Sequence, residues 1–181
     1  ESVAQYGYVK RLENPLLENG SPAGAPALLT VPQQKYNGVI MGVFPEIDIQ
    51  RGDRFQAILG CEYNAVNCYV TYELDYLTPQ LDLVTIWKFR EKYDGKFYRA
   101  DVDLSPIAFK KGIKLVLIVS ASGPATGDNA LWVAPRLVRP FIASTPTPTP
   151  VGPTPTFTPT QTPSPTPTLP PATACDKAEF V

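Results

Sequence analysis

The stretch Ser144–Thr173, STPTPTPVGPTPTFTPTQTPSPTPTLPPAT, excludes more structure than any other part of the chain. Proline locks its own φ, donates no backbone N–H and pushes the preceding residue towards extended geometry. An alternation of Thr and Pro therefore predicts neither a helix nor a sheet interior, but polyproline II. No charged residue interrupts it. At ~3.1 Å per residue the tract would reach roughly 90 Å. The residues before it should pack to a radius of gyration of only ~14 Å. The expected organisation is a domain over 1–142, with an N-terminal arm and loop over 1–27. A stalk follows over 143–174, and 175–181 begin a further segment.

Residues 1–142 hold nearly all the large apolar side chains, enough for one core. The net charge is −1, with no basic stripe and no block of like charge, which argues against nucleic acid and anionic membranes as partners. The longest aliphatic run, Leu115–Val119, is far too short for a membrane span, so no membrane insertion is expected. No secretory leader opens the sequence, so an exported chain would place Glu1 after the cleavage point. Histidine is absent, which removes the commonest general base and metal ligand. No metal or other cofactor is expected.

Along the chain, Ser2–Leu12 reads as an edge strand or arm, and Asn14–Pro26 as a surface loop. Gly38–Phe44 is a short apolar strand broken by Pro45, and Arg51-Gly52-Asp53 is a turn. In Arg54–Cys61, Phe55, Ala57, Leu59 and Cys61 share one face; in Cys68–Tyr76, Cys68, Val70, Tyr72, Leu74 and Tyr76 do. Both faces are apolar. The two strands are expected to form a hairpin around the loop EYNAVN, with a Cys61–Cys68 disulfide across it. Leu83–Phe89, Phe97–Leu104, Ile113–Ser120 and Leu131–Ile142 add strands, with Tyr93-Asp94-Gly95 as a second hairpin turn. Eight to ten short strands with regular turn signals predict an all-β fold, an antiparallel β-sandwich of jelly-roll type.

Three strings then carry a resemblance: GDRFQAILGC…NCYVTYELDY, EKYDGKFYRADVDLSPI and LVLIVSASGPATGDNALWVAPRLVR. Over Leu28–Arg139 the chain resembles extracellular β-sandwich modules of multidomain bacterial surface proteins. These are similar in layout to galactose-binding-like and NPCBM-type jelly rolls. The resemblance implies an extracellular or cell-surface location, and makes carbohydrate binding a function to weigh. The closing CDKAEFV resembles the opening of an Ig-like domain of the four-tryptophan (FW) type. That implies a continuing chain in which Cys175 finds a later partner; otherwise Cys175 links two chains.

Aromatic faces stack on the apolar faces of sugars, so Trp87, Trp132, Tyr63, Tyr69, Tyr72 and Tyr76 form a possible platform. Core packing is the alternative, and it is the one favoured for Trp87 by its parity with Phe89. Trp132, Tyr63 and Tyr69 remain the candidates for glycan contact. Asp82, Asp94, Asp101, Asp103 and Asp128 offer oxygen ligands for Ca²⁺, but turn and cap roles are favoured. Glu73 with Asp75, or Glu91 with Asp94, can be posed as a glycosidase pair, yet nothing marks them as one. No enzyme activity is expected. Thr/Ser tracts with Pro read as O-glycosylated stalks, here at Thr145, Thr147, Thr149, Thr154, Thr156, Thr158, Thr160, Thr162, Thr166 and Thr168.

The expected function is a structural subunit of a cell-surface layer, fibre or adhesive appendage that associates with copies of itself. A strand donated by Ser2–Leu12 or by the terminal AEFV is the expected contact. The alternative is a carbohydrate-binding module tethered by a linker to other domains.

Overall fold

The computed structural model describes residues 3–140. The Thr/Pro tract with its ten candidate threonines, Cys175 and the terminal AEFV lie outside the described residues. Among the described residues nine strands form: β1 (Tyr8–Leu12), β2 (Ala27–Val31), β3 (Val39–Glu46), β4 (Arg54–Cys61), β5 (Tyr69–Leu77), β6 (Leu83–Lys92), β7 (Tyr98–Asp103), β8 (Lys114–Ala121) and β9 (Ala130–Val138). They make an antiparallel sandwich of two sheets, β1-β2-β9-β4-β7 and β3-β8-β5-β6.

The pairing follows one rule. β5 pairs with β6, β4 with β7, β3 with β8 and β2 with β9. Eight strands therefore form one long nested hairpin about the turn at residues 78–82. The β4–β9 and β5–β8 ladders then roll it closed. Two turns expected to make local hairpins do not. β4 and β5 flank EYNAVN but lie in different sheets, as do β6 and β7 around Tyr93-Asp94-Gly95. Turn residues encode a reversal of direction; which sheet the returning strand joins depends on distant partners, about which alternation is silent.

The expected inner faces hold. Phe55, Ala57, Leu59, Cys61, Cys68, Val70, Tyr72, Leu74 and Tyr76 are all buried in one core between the sheets. The Tyr72 hydroxyl crosses that core, donating to the Gly60 carbonyl at 2.7 Å and accepting from the Leu131 N–H at 3.1 Å. A second core lies on the outer face of the first sheet. Leu17, from the segment expected to be a surface loop, packs there on Ala27, Leu29, Val31, Leu131 and Val133. Ala130–Val133 of β9 is consequently buried on both faces. Both strand prolines fall at register shifts, where a missing N–H costs no ladder bond. Pro135 follows Ala134 (φ +45°) in the β9 bulge opposite β4, and Pro45 lies in the β3 irregularity opposite β8 rather than ending the strand.

Residues 8–12 are not a free arm, because β1 is paired with β2 of its own sheet. The Arg51-Gly52-Asp53 turn is structural. Gly52 has φ +88°, and a Cβ there would meet Pro140 at 3.0 Å. Asp53 is buried, accepts from the Gln50 N–H, and takes a two-pronged hydrogen bond from Arg139 at 2.9 and 2.8 Å. That guanidinium, together with the Gln50 bond, holds the Asp53 carboxyl below its ordinary pKa against the opposing effect of burial. Arg139→Ala strands the buried carboxylate and is expected to cost about 3 kcal/mol in urea unfolding. Arg139→Lys should recover only part, since an ammonium lacks the fork.

Candidate functional site

One end of the sandwich gathers the loops 32–38, 62–68, 93–97 and 122–129, because the antiparallel ladders bring Val39 beside Ser120, Tyr69 beside Lys92, and Cys61 beside Ala130. Hydrogen bonds tie these loops to one another. The Asn37 N–H donates to the Gly123 carbonyl and the Gly123 N–H to Asn37 Oδ1. Gln34 Nε2 donates to the Ala125 carbonyl, and Asn129 Nδ2 to Glu62 Oε2. The Tyr69 N–H donates to Asp128 Oδ1. Cys61 and Cys68 are disulfide-bonded, with Cα atoms 6.2 Å apart, so the bridge joins the two sheets rather than two strands of one hairpin. The loop end is thus pre-ordered.

Beneath it sits an anchor that the sequence did not single out. Glu18 is buried, and three backbone N–H groups converge on its carboxylate: Cys61 on Oε1 at 2.6 Å, and Asp94 and Gly95 on Oε2 at 2.9 and 3.0 Å. The Tyr93 hydroxyl donates to the Glu18 carbonyl at 3.1 Å. Glu18 thereby joins the N-terminal loop to the end of β4 and to the β6–β7 connection. Glu91, 2% exposed, brings a carboxyl oxygen within 4.8 Å of Glu18 and Asp94 oxygens. Burial, then the Glu18 and Asp94 charges, push its pKa up to about 8. Glu91 therefore keeps its proton at neutral pH. Three N–H dipoles already answer the Glu18 charge, so this is the chemistry of a carboxylate anchor. Glu91 had a legible signal, since it follows Trp87 and Phe89 on the inward parity of its strand. Glu18 had none.

The aromatic candidates separate. Trp132 is 0% exposed, edge-on to Tyr72 and Phe55 at centroid distances of 4.9 and 6.0 Å, so it presents no face to a sugar. The expectation of glycan contact at Trp132 is corrected: its parity with Ala130 points it between the sheets. Tyr72 and Tyr76 are also core, and Trp87 packs half-buried against it. Tyr63 is 43% exposed at the loop end, and Tyr69 is half-buried, lining a hollow of about 450 Å³ with Val66, Lys92 and Thr126. Two further tyrosines were missed, Tyr36 at 73% and Tyr6 at 60% exposure. Gln5, Tyr6, Gln33, Gln34 and Lys35 line a depression of about 240 Å³ beside them. Exposed phenol rings next to side-chain amides suit a neutral polyhydroxylated ligand.

The five aspartates posed as Ca²⁺ ligands serve separate local roles. Asp82 accepts from Thr78, Asp94 from Tyr98 and Lys96, Asp101 from Arg54, and Asp103 from Ser105; Asp128 holds Tyr69. Of the posed acid pairs, Glu73 is ion-paired with Lys88 at 2.7 Å, while Asp75 is buried and its pKa raised by that burial. No helix among the described residues is long and apolar enough to cross a membrane.

The sheet edges differ sharply. β1 exposes Lys10 and Arg11, β6 exposes Lys88, Arg90 and Lys92, and β7 exposes Arg99, Asp101 and Asp103. β3, the remaining edge, has no charge from Val39 to Phe44, and Val39, Met41, Val43 and Phe44 are all exposed along it. Beside it, between the sheets, run two apolar hollows of about 350 and 250 Å³ that share Phe44 and Leu117.

No protein-family model and no curated protein matches this chain.

Proposed function

We propose that the chain is a non-catalytic, extracellular structural subunit that assembles at the cell surface through an open sheet edge. The observation that carries this is β3. Charged side chains on an edge prevent edge-to-edge pairing; three edges here have them and the fourth exposes an apolar row instead. The nested strand order supports a jelly roll, and the paired cysteines support an oxidising compartment. The Thr/Pro tract supports an O-glycosylated stalk. Electron microscopy of material taken from its native source without denaturant is the test. Fibres or sheets with this subunit as the repeat are expected, and dispersed single particles overturn the reading.

The alternative, a carbohydrate-binding module, now rests on Tyr6, Tyr36 and Tyr63 rather than on Trp132. Tyr36→Ala is expected to weaken retention on a neutral glycan array about tenfold, since stacking contacts of this kind contribute ~1 kcal/mol or more. An array that retains neither the wild-type chain nor the variant removes this alternative.

A further inference from the structure

We propose that the partner on β3 is a second copy of this chain, paired antiparallel β3 to β3 about a two-fold axis through Met41. This rests on the assembly reading above and gives it a register. Val39–Val43 is the part of β3 with an unbroken ladder to β8; the register shifts beyond Val43. Met41 is its midpoint. An antiparallel pair centred there sets Met41 against Met41, and Val39 against Val43, so the exposed apolar row meets itself. Beyond the bonds to β8, residues 39–46 make no backbone hydrogen bond among the described residues, which leaves outward N–H and C=O groups free along the edge. Space is also available, because a Cβ built on Gly42 meets nothing within 4 Å.

Charge at the two ends of the strand favours this direction. Lys35 stands exposed before the strand, and Glu46 exposed at its end. Neither has an ion-pair partner among the described residues. The antiparallel pairing brings the Lys35 end of each copy towards the Glu46 end of the other. A parallel pairing would bring like-charged ends together. A C2 contact of this type is closed and self-complementary, and it would extend the four-stranded sheet across both copies.

The test uses the full chain with Cys175→Ser, so that one engineered thiol is free. Opposite residues in an antiparallel pair have Cα atoms about 4.5–5.5 Å apart, within disulfide reach. Met41→Cys is therefore expected to give a covalent dimer on mild oxidation. Val39→Cys is not, because it lies about 13 Å along the strand from its counterpart. A folded Met41→Cys chain that stays monomeric, or a Val39→Cys chain that crosslinks equally, overturns the pairing. Val43→Lys adds a guard charge to each copy and is expected to raise the dimer dissociation constant about tenfold or more in sedimentation, with an unchanged thermal midpoint. Unchanged association by Val43→Lys also overturns it. A wild-type chain that never associates refutes the assembly reading itself, whereas association that survives these variants refutes only the β3 contact.

Discussion

Trp132→Ala should lower the unfolding free energy by about 3–5 kcal/mol, the cost typical of emptying a fully buried large aromatic site. Trp132 is wholly enclosed, and its ring is the meeting point of both sheets through Tyr72 and Phe55. The neighbours are strands held by ladders on either side, so they have little freedom to collapse into the space. For a domain of this size the midpoint of thermal denaturation should fall by roughly 10–15 °C. Trp132→Phe should behave differently. It keeps a ring against Tyr72 and removes an indole N–H that is buried without a hydrogen-bond partner. Its cost should stay near ~1 kcal/mol, because the lost packing is partly offset by the removed desolvation penalty. Calorimetry on the three proteins decides the matter. A Trp132→Ala chain with an unchanged midpoint would contradict the burial of this side chain.

The second large effect concerns pH. The Glu91 carboxyl titrates at about 8 in the folded chain, against an ordinary value of 4.5. Between those values the unfolded chain has released a proton that the folded chain retains. Stability contributed by this group is therefore complete below about pH 4.5, declines as the pH rises, and is fully lost above about pH 8. Glu91→Gln keeps the shape and stays uncharged while removing the titration. The variant is expected to exceed the wild type by on the order of 2–3 kcal/mol at pH 8, with the gap closing by pH 5. Chemical denaturation at several pH values measures the slope. Parallel curves for the two proteins would show that Glu91 is ionised in the folded state. The groups facing Glu91 are Glu18, Asp94 and Lys96, and the lysine opposes the shift. Above pH 8 two buried negative charges would face each other where the N-terminal loop is fastened to the β6–β7 connection, so that fastening should loosen first.

Period-2 alternation and proline by themselves determined several features. Leu59, Cys61, Val70 and Tyr72 are apolar at every second position, and a strand has only two faces, so their common burial followed from spacing alone. The same spacing put Cys61 and Cys68 on inward faces and made their disulfide legible, although the hairpin it was expected to cross does not form. The tertiary structure decided everything that depends on contact between distant segments. EYNAVN and Tyr93-Asp94-Gly95 looked like hairpin turns because local residues specify reversal, yet both carry the chain from one sheet to the other. Trp132 looked as accessible as Tyr63, until its strand was enclosed by a core on each face. Leu17 and Glu18 lie in a segment rich in Asn, Gly and Pro that reads as solvent-exposed. They are buried because the outer face of the first sheet needed a cover, and because three N–H groups at the loop end needed an acceptor. Such needs arise only once the sheets exist, and no window of neighbouring residues contains them.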